Sequence, residues 1–231
     1  MGKVKRSATI ALGMLVILIM MLGGCTARNT SEKAGYSEST QSNSYENTAD
    51  KVTEKGYAPA YQRQEIGKYW WGYSVQLNET VVTLPCEVKD IEAAGLAMDT
   101  SLIPADMNIA RGANQMVYFK DKSGDEIMVT VTNGRSVFCK ITECLVTGIA
   151  VTNYDLKKGS LTVTFPGGIQ IGSPQSLVLE SYGTFYDGYE SDDAEMFTWH
   201  SSSNYNRSCE IDFDTKTNKV TCMFLTYQFR N

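Results

Sequence analysis

Six cysteines, one histidine and 26 acidic side chains are the groups in this 231-residue chain that could do covalent, acid–base or metal chemistry. Their spacing supports little of it. His200 stands alone in Thr198-Trp199-His200-Ser201, and a triad or a histidine-rich metal site needs partners that one strand residue does not supply. No G-x-S-x-G, S-x-x-K, H-E-x-x-H, C-x-x-C, phosphate-loop or dinucleotide pattern is present. Gly167-Gly168-x-x-x-Gly172 precedes a helix but lacks the Lys and Ser/Thr of a phosphate loop, so it reads as a turn that needs glycine. Asp187, Glu190, Asp192, Asp193 and Glu195 are rich in the oxygen that calcium prefers, yet they fit no twelve-residue calcium loop and read as solvated charge. Glu210, Asp212 and Asp214 alternate with Ile211 and Phe213, which places them on the wet side of a strand. No catalytic residue, metal or cofactor is expected.

The most informative cysteine is Cys25. Lys3, Lys5 and Arg6 precede an apolar run from Ala8 to Leu22, and about fifteen residues fall short of the roughly twenty that span a bilayer. The run ends in Leu22-Gly23-Gly24-Cys25, which resembles the lipobox of bacterial lipoproteins. That resemblance implies a signal peptide over 1–24, cleavage before Cys25 and a diacylglyceryl (palmitate-type) group on its thiol. It places the chain on the extracytoplasmic face of the cell membrane, with lipid as its first partner. Each buried methylene contributes about 0.8 kcal/mol, and two or more chains on one residue make the anchor stable.

Removal of residues 1–24 takes away three cations and no acid, leaving 18 Lys and Arg against 26 Asp and Glu, a formal net charge of −8. A nucleic-acid partner is excluded on charge, because sequence-independent affinity for phosphate backbones comes from clustered cations. From 25 to 67 the chain is rich in Ser, Thr, Asn, Gln, Glu and Lys. It has too little apolar area to offset the entropy of ordering, so a disordered tether with a reach of about 35 Å is expected.

The folded part is expected in two pieces, 68–155 and 156–231. Period-2 alternation marks strands at Tyr73–Leu77, Ile127–Val131 and Glu210–Asp214. Turn residues separate them at Asp121-Lys122-Ser123-Gly124, Asn133-Gly134 and Asp214–Asn218. Two short helices are expected. One runs from Glu87 to Ala94 and stops at Gly95; the other begins at Ser173-Pro174 and stops at Gly183. Val81-Val82-Thr83-Leu84-Pro85 and Thr162-Val163-Thr164-Phe165-Pro166 lie 81 residues apart, each followed by one of those helices. This internal repeat predicts an α+β fold of two tandem β-α-β-β-β units, each with its own antiparallel sheet covered by one short helix.

Phe165-Pro166-Gly167-Gly168-Ile169-Gln170-Ile171-Gly172-Ser173, the helix ending Tyr182-Gly183, and Phe213-Asp214 with Lys219-Val220 resemble small modules of clostridial-type lipoproteins. Their architecture is similar to BamE and the β-lactamase inhibitory protein. The resemblance implies protein binding without catalysis, and it carries no defined binding residue. The expected function is therefore a non-catalytic binding or scaffolding module that engages another envelope protein. The alternative is a cell-wall-active enzyme using Asp187 or Asp212, or a carbohydrate-binding lipoprotein, which would require paired carboxylates at the right separation.

Aromatic side chains supply the contact candidates, because Tyr and Trp dominate interface energetics. Trp70 and Trp71 in Tyr69-Trp70-Trp71-Gly72-Tyr73 could grip a ligand; equally, alternation would send Trp71 and Tyr73 into the core with Trp70 over an edge. Tyr186, Tyr189, Phe197, Trp199 and Tyr205 are candidates near the second unit's strands. With Cys25 lipidated, Cys86, Cys139, Cys144, Cys209 and Cys222 remain, an odd number. The expected disulfides are Cys86–Cys144 and Cys209–Cys222.

Replacing Cys25 with Ala is expected to abolish lipidation and cleavage at this site. Metabolic lipid labelling with cell fractionation checks it, and label persisting on C25A contradicts the assignment.

Overall fold

The computed structural model describes residues 65–134, 137–201 and 204–229. The signal segment, Cys25, most of the tether and the side chain of Tyr205 lie outside the described residues. The described residues form one compact unit.

The chain opens with a 3-10 turn, η1 (Trp70–Gly72), then β1 (Ser74–Leu77), β2 (Thr80–Thr83), β3 (Cys86–Glu87) and helix α1 (Val88–Ala93). Strands β4 (Ala97–Met98), β5 (Asn108–Ala110), β6 (Asn114–Lys120), β7 (Glu126–Thr132) and β8 (Phe138–Lys140) follow, then a 3-10 turn, η2 (Ile141–Glu143), and β9 (Leu145–Thr152). After β10 (Val163–Thr164) and a third 3-10 turn, η3 (Pro166–Gly168), comes helix α2 (Gln175–Tyr182). The last four strands are β11 (Asp187–Glu190), β12 (Ala194–Ser201), β13 (Asn204–Asp214) and β14 (Lys219–Tyr227). No helix among the described residues is long and apolar enough to cross a membrane.

This architecture corrects the expected α+β fold of two units. The protein is mostly β, built on one nine-stranded antiparallel sheet in the order β11-β12-β13-β14-β9-β7-β6-β4, with β3 pairing onto β9. Strand β14, at the end of the second expected unit, hydrogen-bonds to β9, at the end of the first, with Met223 opposite Val151 and Leu225 opposite Ile149. An unpaired strand edge carries free N–H and C=O groups that favour such joining. The repeat survives only as a strand order that reads outward from this seam as β7-β6-β4 on one side and β13-β12-β11 on the other. The two apolar-Pro strands, β2 and β10, instead flank β1 in a separate three-stranded sheet. Strands β5 and β8 make a small ribbon of their own.

Register then decides what is buried. Phe197 lies opposite Ile211, Ile211 opposite Met223, Met223 opposite Val151, and across the seam Ile149 lies opposite Val129 and Val129 opposite Val117. Because side chains alternate with period 2, these pairings line up one apolar face across six strands. Val88 and Ile91 of α1, Val178 and Tyr182 of α2, and Val75, Leu77, Val82 and Val163 of the small sheet join that face in one core. Both helices stop on glycine as expected, at Gly95 (φ 88°) and Gly183 (φ 75°), where a left-handed residue ends the helix without a Cβ clash. Helix α2 begins one residue later than its sequence suggests, with Pro174 as the N-cap.

A buried carboxylate anchors the connection from β9 to β10. Asp125, fully buried, accepts hydrogen bonds from the backbone N–H groups of Lys158 (2.6 Å), Ser160 (2.9 Å) and Leu161 (3.3 Å). Burial alone would push its carboxyl up, but these N–H donors hold it below the ordinary carboxylate range.

Candidate functional site

The second face of the large sheet carries the chemistry. It is formed by the residues that alternate with the core, and the same register aligns them. Tyr118 lies opposite Met128, Met128 opposite Ala150, Ala150 opposite Phe224, Phe224 opposite Glu210 and Glu210 opposite Thr198. One parallel row runs from Thr152 through Cys222 and Asp212 to Met196, and another from Met116 through Thr130, Gly148 and Thr226 to Ser208 and His200. Neither helix lies in these rows; α1 and α2 both belong to the core cluster. Gly148 keeps its row tight, since a Cβ there would come within 3.2 Å of the Thr130 side chain and 3.3 Å of the Phe224 ring, and those side chains would have to give by a few tenths of an ångström to admit it.

Two acids sit in the middle of this face. The alternation of β13 places Glu210 and Asp212 away from the core, as expected, but they are half-buried rather than solvated. Neighbouring strands put Phe224 opposite Glu210, and Met196 and Cys222 on either side of Asp212. Desolvation raises the Glu210 carboxyl, and it raises Asp212 to about 7, with the Glu210 charge adding to the effect. Asp214, at the strand end, shifts the opposite way because the Thr217 hydroxyl and N–H, with the Lys216 N–H, donate to it. Asp212 Oδ1 and Thr226 Oγ1 are buried with no hydrogen-bond partner among the described residues. Buried polar atoms left in that condition cost about 1–3 kcal/mol each.

The aromatic candidates divide. Tyr186 (55% exposed) and Tyr189 (63% exposed) stand at the β11 edge, and the Tyr186 ring lies 3.9 Å from that of His200. The His200 imidazole is buried, with Nε2 3.6 Å from Asp187 Oδ2. Trp199 and Phe197 point into the core, and Trp199 Nε1 donates to the Gly183 carbonyl, so neither is available to a partner. Trp70 and Trp71 take the opposite places from those that alternation suggests. Residues 70–72 form a 3-10 turn, in which a period of 2 does not hold; Trp70 is buried, and the exposed Trp71 stacks on Tyr69 at 4.5 Å.

The expected disulfides are not formed; all five described cysteines are thiols. Cys209 and Cys222 are on facing strands, but a bulge between Asp212 and Phe213 moves the register by one residue and turns Cys222 to the outer face opposite Asp212. Cys209 stays in the core, opposite Leu225. Cys86 lies opposite Val146 on β9, while the sulfur of Cys144 is 3.3 Å from that of Cys139. No three His, Cys, Asp or Glu side chains among the described residues group as a metal site. Compared with family models, curated proteins and solved structures, the chain matches none.

Asp212 gives a measurable pH dependence. Its folded pKa, about 7, lies above the ordinary 3.8, so folding takes up a proton between these values. Stability contributed by Asp212 is therefore full below about pH 4 and is lost as pH rises through about 7. Asp212→Asn is expected to reduce that slope and to raise stability at pH 8 by about 1–3 kcal/mol. Urea unfolding at several pH values checks it; an unchanged slope would show that Asp212 is solvated.

Proposed function

We propose that the chain is a lipid-anchored, extracytoplasmic, non-catalytic binding module, and that the outer face of its large sheet is where another envelope protein docks. The observation that carries this reading is the make-up of that face. Met196 and Phe224 flank two acids, Glu210 and Asp212, whose charged forms are disfavoured by desolvation, and Met128, Tyr118 and Met116 continue the same face three and four strands further along the sheet. Methionine is an adaptable contact residue. A basic group arriving on Asp212 would stabilise its charge, and a donor would satisfy Oδ1. A segment with both apolar and cationic side chains matches this chemistry, and the net charge of −8 expected after processing favours its approach.

One observation favours the cell-wall-active alternative: a carboxyl near neutrality is what a general acid or base requires. The placement of the pair supports binding instead. Glu210 and Asp212 are two residues apart on one strand, about 6.7 Å along it, and both project from the same face rather than flanking a bond to be cleaved. The exposed Tyr69–Trp71 stack is a surface suited to a sugar ring.

Photo-crosslinking amino acids placed at Tyr118 and Met128 on the outer face, and at Asn153 in a loop, test the proposal in the cells that make the protein. A discrete adduct from 118 and 128 that is absent from 153, and that is lost in E210K/D212K, is expected. Equal labelling at all three positions, or capture unaffected by the charge reversal, would contradict it.

A further inference from the structure

Among the five cysteines that follow Cys25, one pair is brought together by local geometry. Cys139 lies at the centre of β8, opposite Ile109 of β5. The chain then turns through η2, whose Ile141 is fully buried and whose backbone N–H donates to the Met107 carbonyl at 2.8 Å. The turn is closed by the Cys144 N–H on the Ile141 carbonyl and returns Cys144 to within 3.3 Å of Cys139, sulfur to sulfur. The remaining three thiols are dispersed. Cys209 is in the core, Cys222 is on the outer sheet face, and Cys86 is buried opposite Val146.

We propose that Cys139 and Cys144 are a redox-active pair that forms the single disulfide of the folded domain, stapling the β5–β8 ribbon to the start of β9, while Cys86, Cys209 and Cys222 remain thiols. Bonded sulfurs lie about 2.05 Å apart, so closure needs a shift of little more than an ångström, which rotation of the two side chains provides. The odd cysteine count is then accounted for without a link between molecules.

The exposures of the two residues set the order of events. Cys139 is half-exposed, whereas Cys144 is buried and its thiol is pushed up to about 12 by desolvation and by the neighbouring Cys139. Cys139 is therefore the entry point. Its thiolate attacks one sulfur of an external disulfide, glutathione disulfide or the active-site disulfide of an oxidoreductase, and expels the other sulfur as a thiolate. Cys144 loses its proton and attacks the Cys139 sulfur, forming the Cys139–Cys144 bond and releasing the second external thiol. Two electrons and two protons thus pass from the pair to the external disulfide, which becomes two thiols. The consequence for the fold is local. Val137 and Phe138, 71% and 64% exposed, lie next to Cys139, so the link fixes the segment that presents them.

Formation of this bond in the cell rests on the proposed export; the chemistry of the pair does not. The full chain, purified from membranes in detergent, is equilibrated with reduced and oxidised glutathione, alkylated, digested with trypsin and mapped. Cleavage after Lys140 separates the two cysteines, so the bond appears as a crosslinked peptide pair. The expected result is loss of two of the five alkylatable thiols, both in the Cys139–Cys144 pair, and no new link in Cys139→Ser. A linked pair in the glutathione buffer but thiols in freshly alkylated cells would retain the inference and count against export. Five free thiols in oxidised glutathione, or a bond involving Cys86, Cys209 or Cys222, would overturn it.

Discussion

The pairing of β14 with β9 is the constraint on which the rest of the fold depends. Five consecutive residue pairs, Cys222–Thr152 to Thr226–Gly148, join the two halves of the chain. A slip of one residue there would exchange core and surface on one side of the seam, because side chains alternate with period 2. Ile149, Val151, Met223 and Leu225, all fully buried at the seam, penalise such a slip by their burial, at about 25 cal/mol per Å² of apolar area. The β13–β14 hairpin, which this seam joins to β9, sets Glu210 beside Phe224 and Asp212 beside Cys222 on the other face.

Local elements were legible in the sequence, and long-range ones were not. The alternation at Ile127–Val131 and Glu210–Asp214 becomes β7 and β13, and the turn residues at 121–124 and 214–218 join β6 to β7 and β13 to β14. Gly95 and Gly183 mark the ends of both helices. The joining of β9 to β14 could not be read, since about seventy residues separate the partners and nothing in either strand's pattern specifies which edge it finds. Two smaller departures have local causes. A bulge at the end of β13 reverses the face of Cys222, and a 3-10 turn at 70–72 exchanges Trp70 with Trp71. Neither leaves a sequence signal as clear as a glycine turn.

Part of the candidate site was legible too. The sidedness of Glu210 and Asp212 follows from alternation, but their desolvation is a property of the cross-strand neighbours Phe224, Met196 and Cys222. A strand that looks amphipathic in isolation has a polar face whose environment is set by the strands beside it. Burial here raises two acids, and no cation among the described residues pairs with them. Such an arrangement costs stability at neutral pH.

Both halves of the chain share one sheet, which gives the molecule a single continuous outer face. Nuclear magnetic resonance of the isotopically labelled protein tests this most directly, through backbone proton contacts between 148–152 and 222–226. Interstrand contacts are expected in the register that sets Ile149 opposite Leu225 and Val151 opposite Met223. Contacts of β14 confined to β13, with those of β9 confined to β7 and β3, would mean two separate sheets and would contradict it.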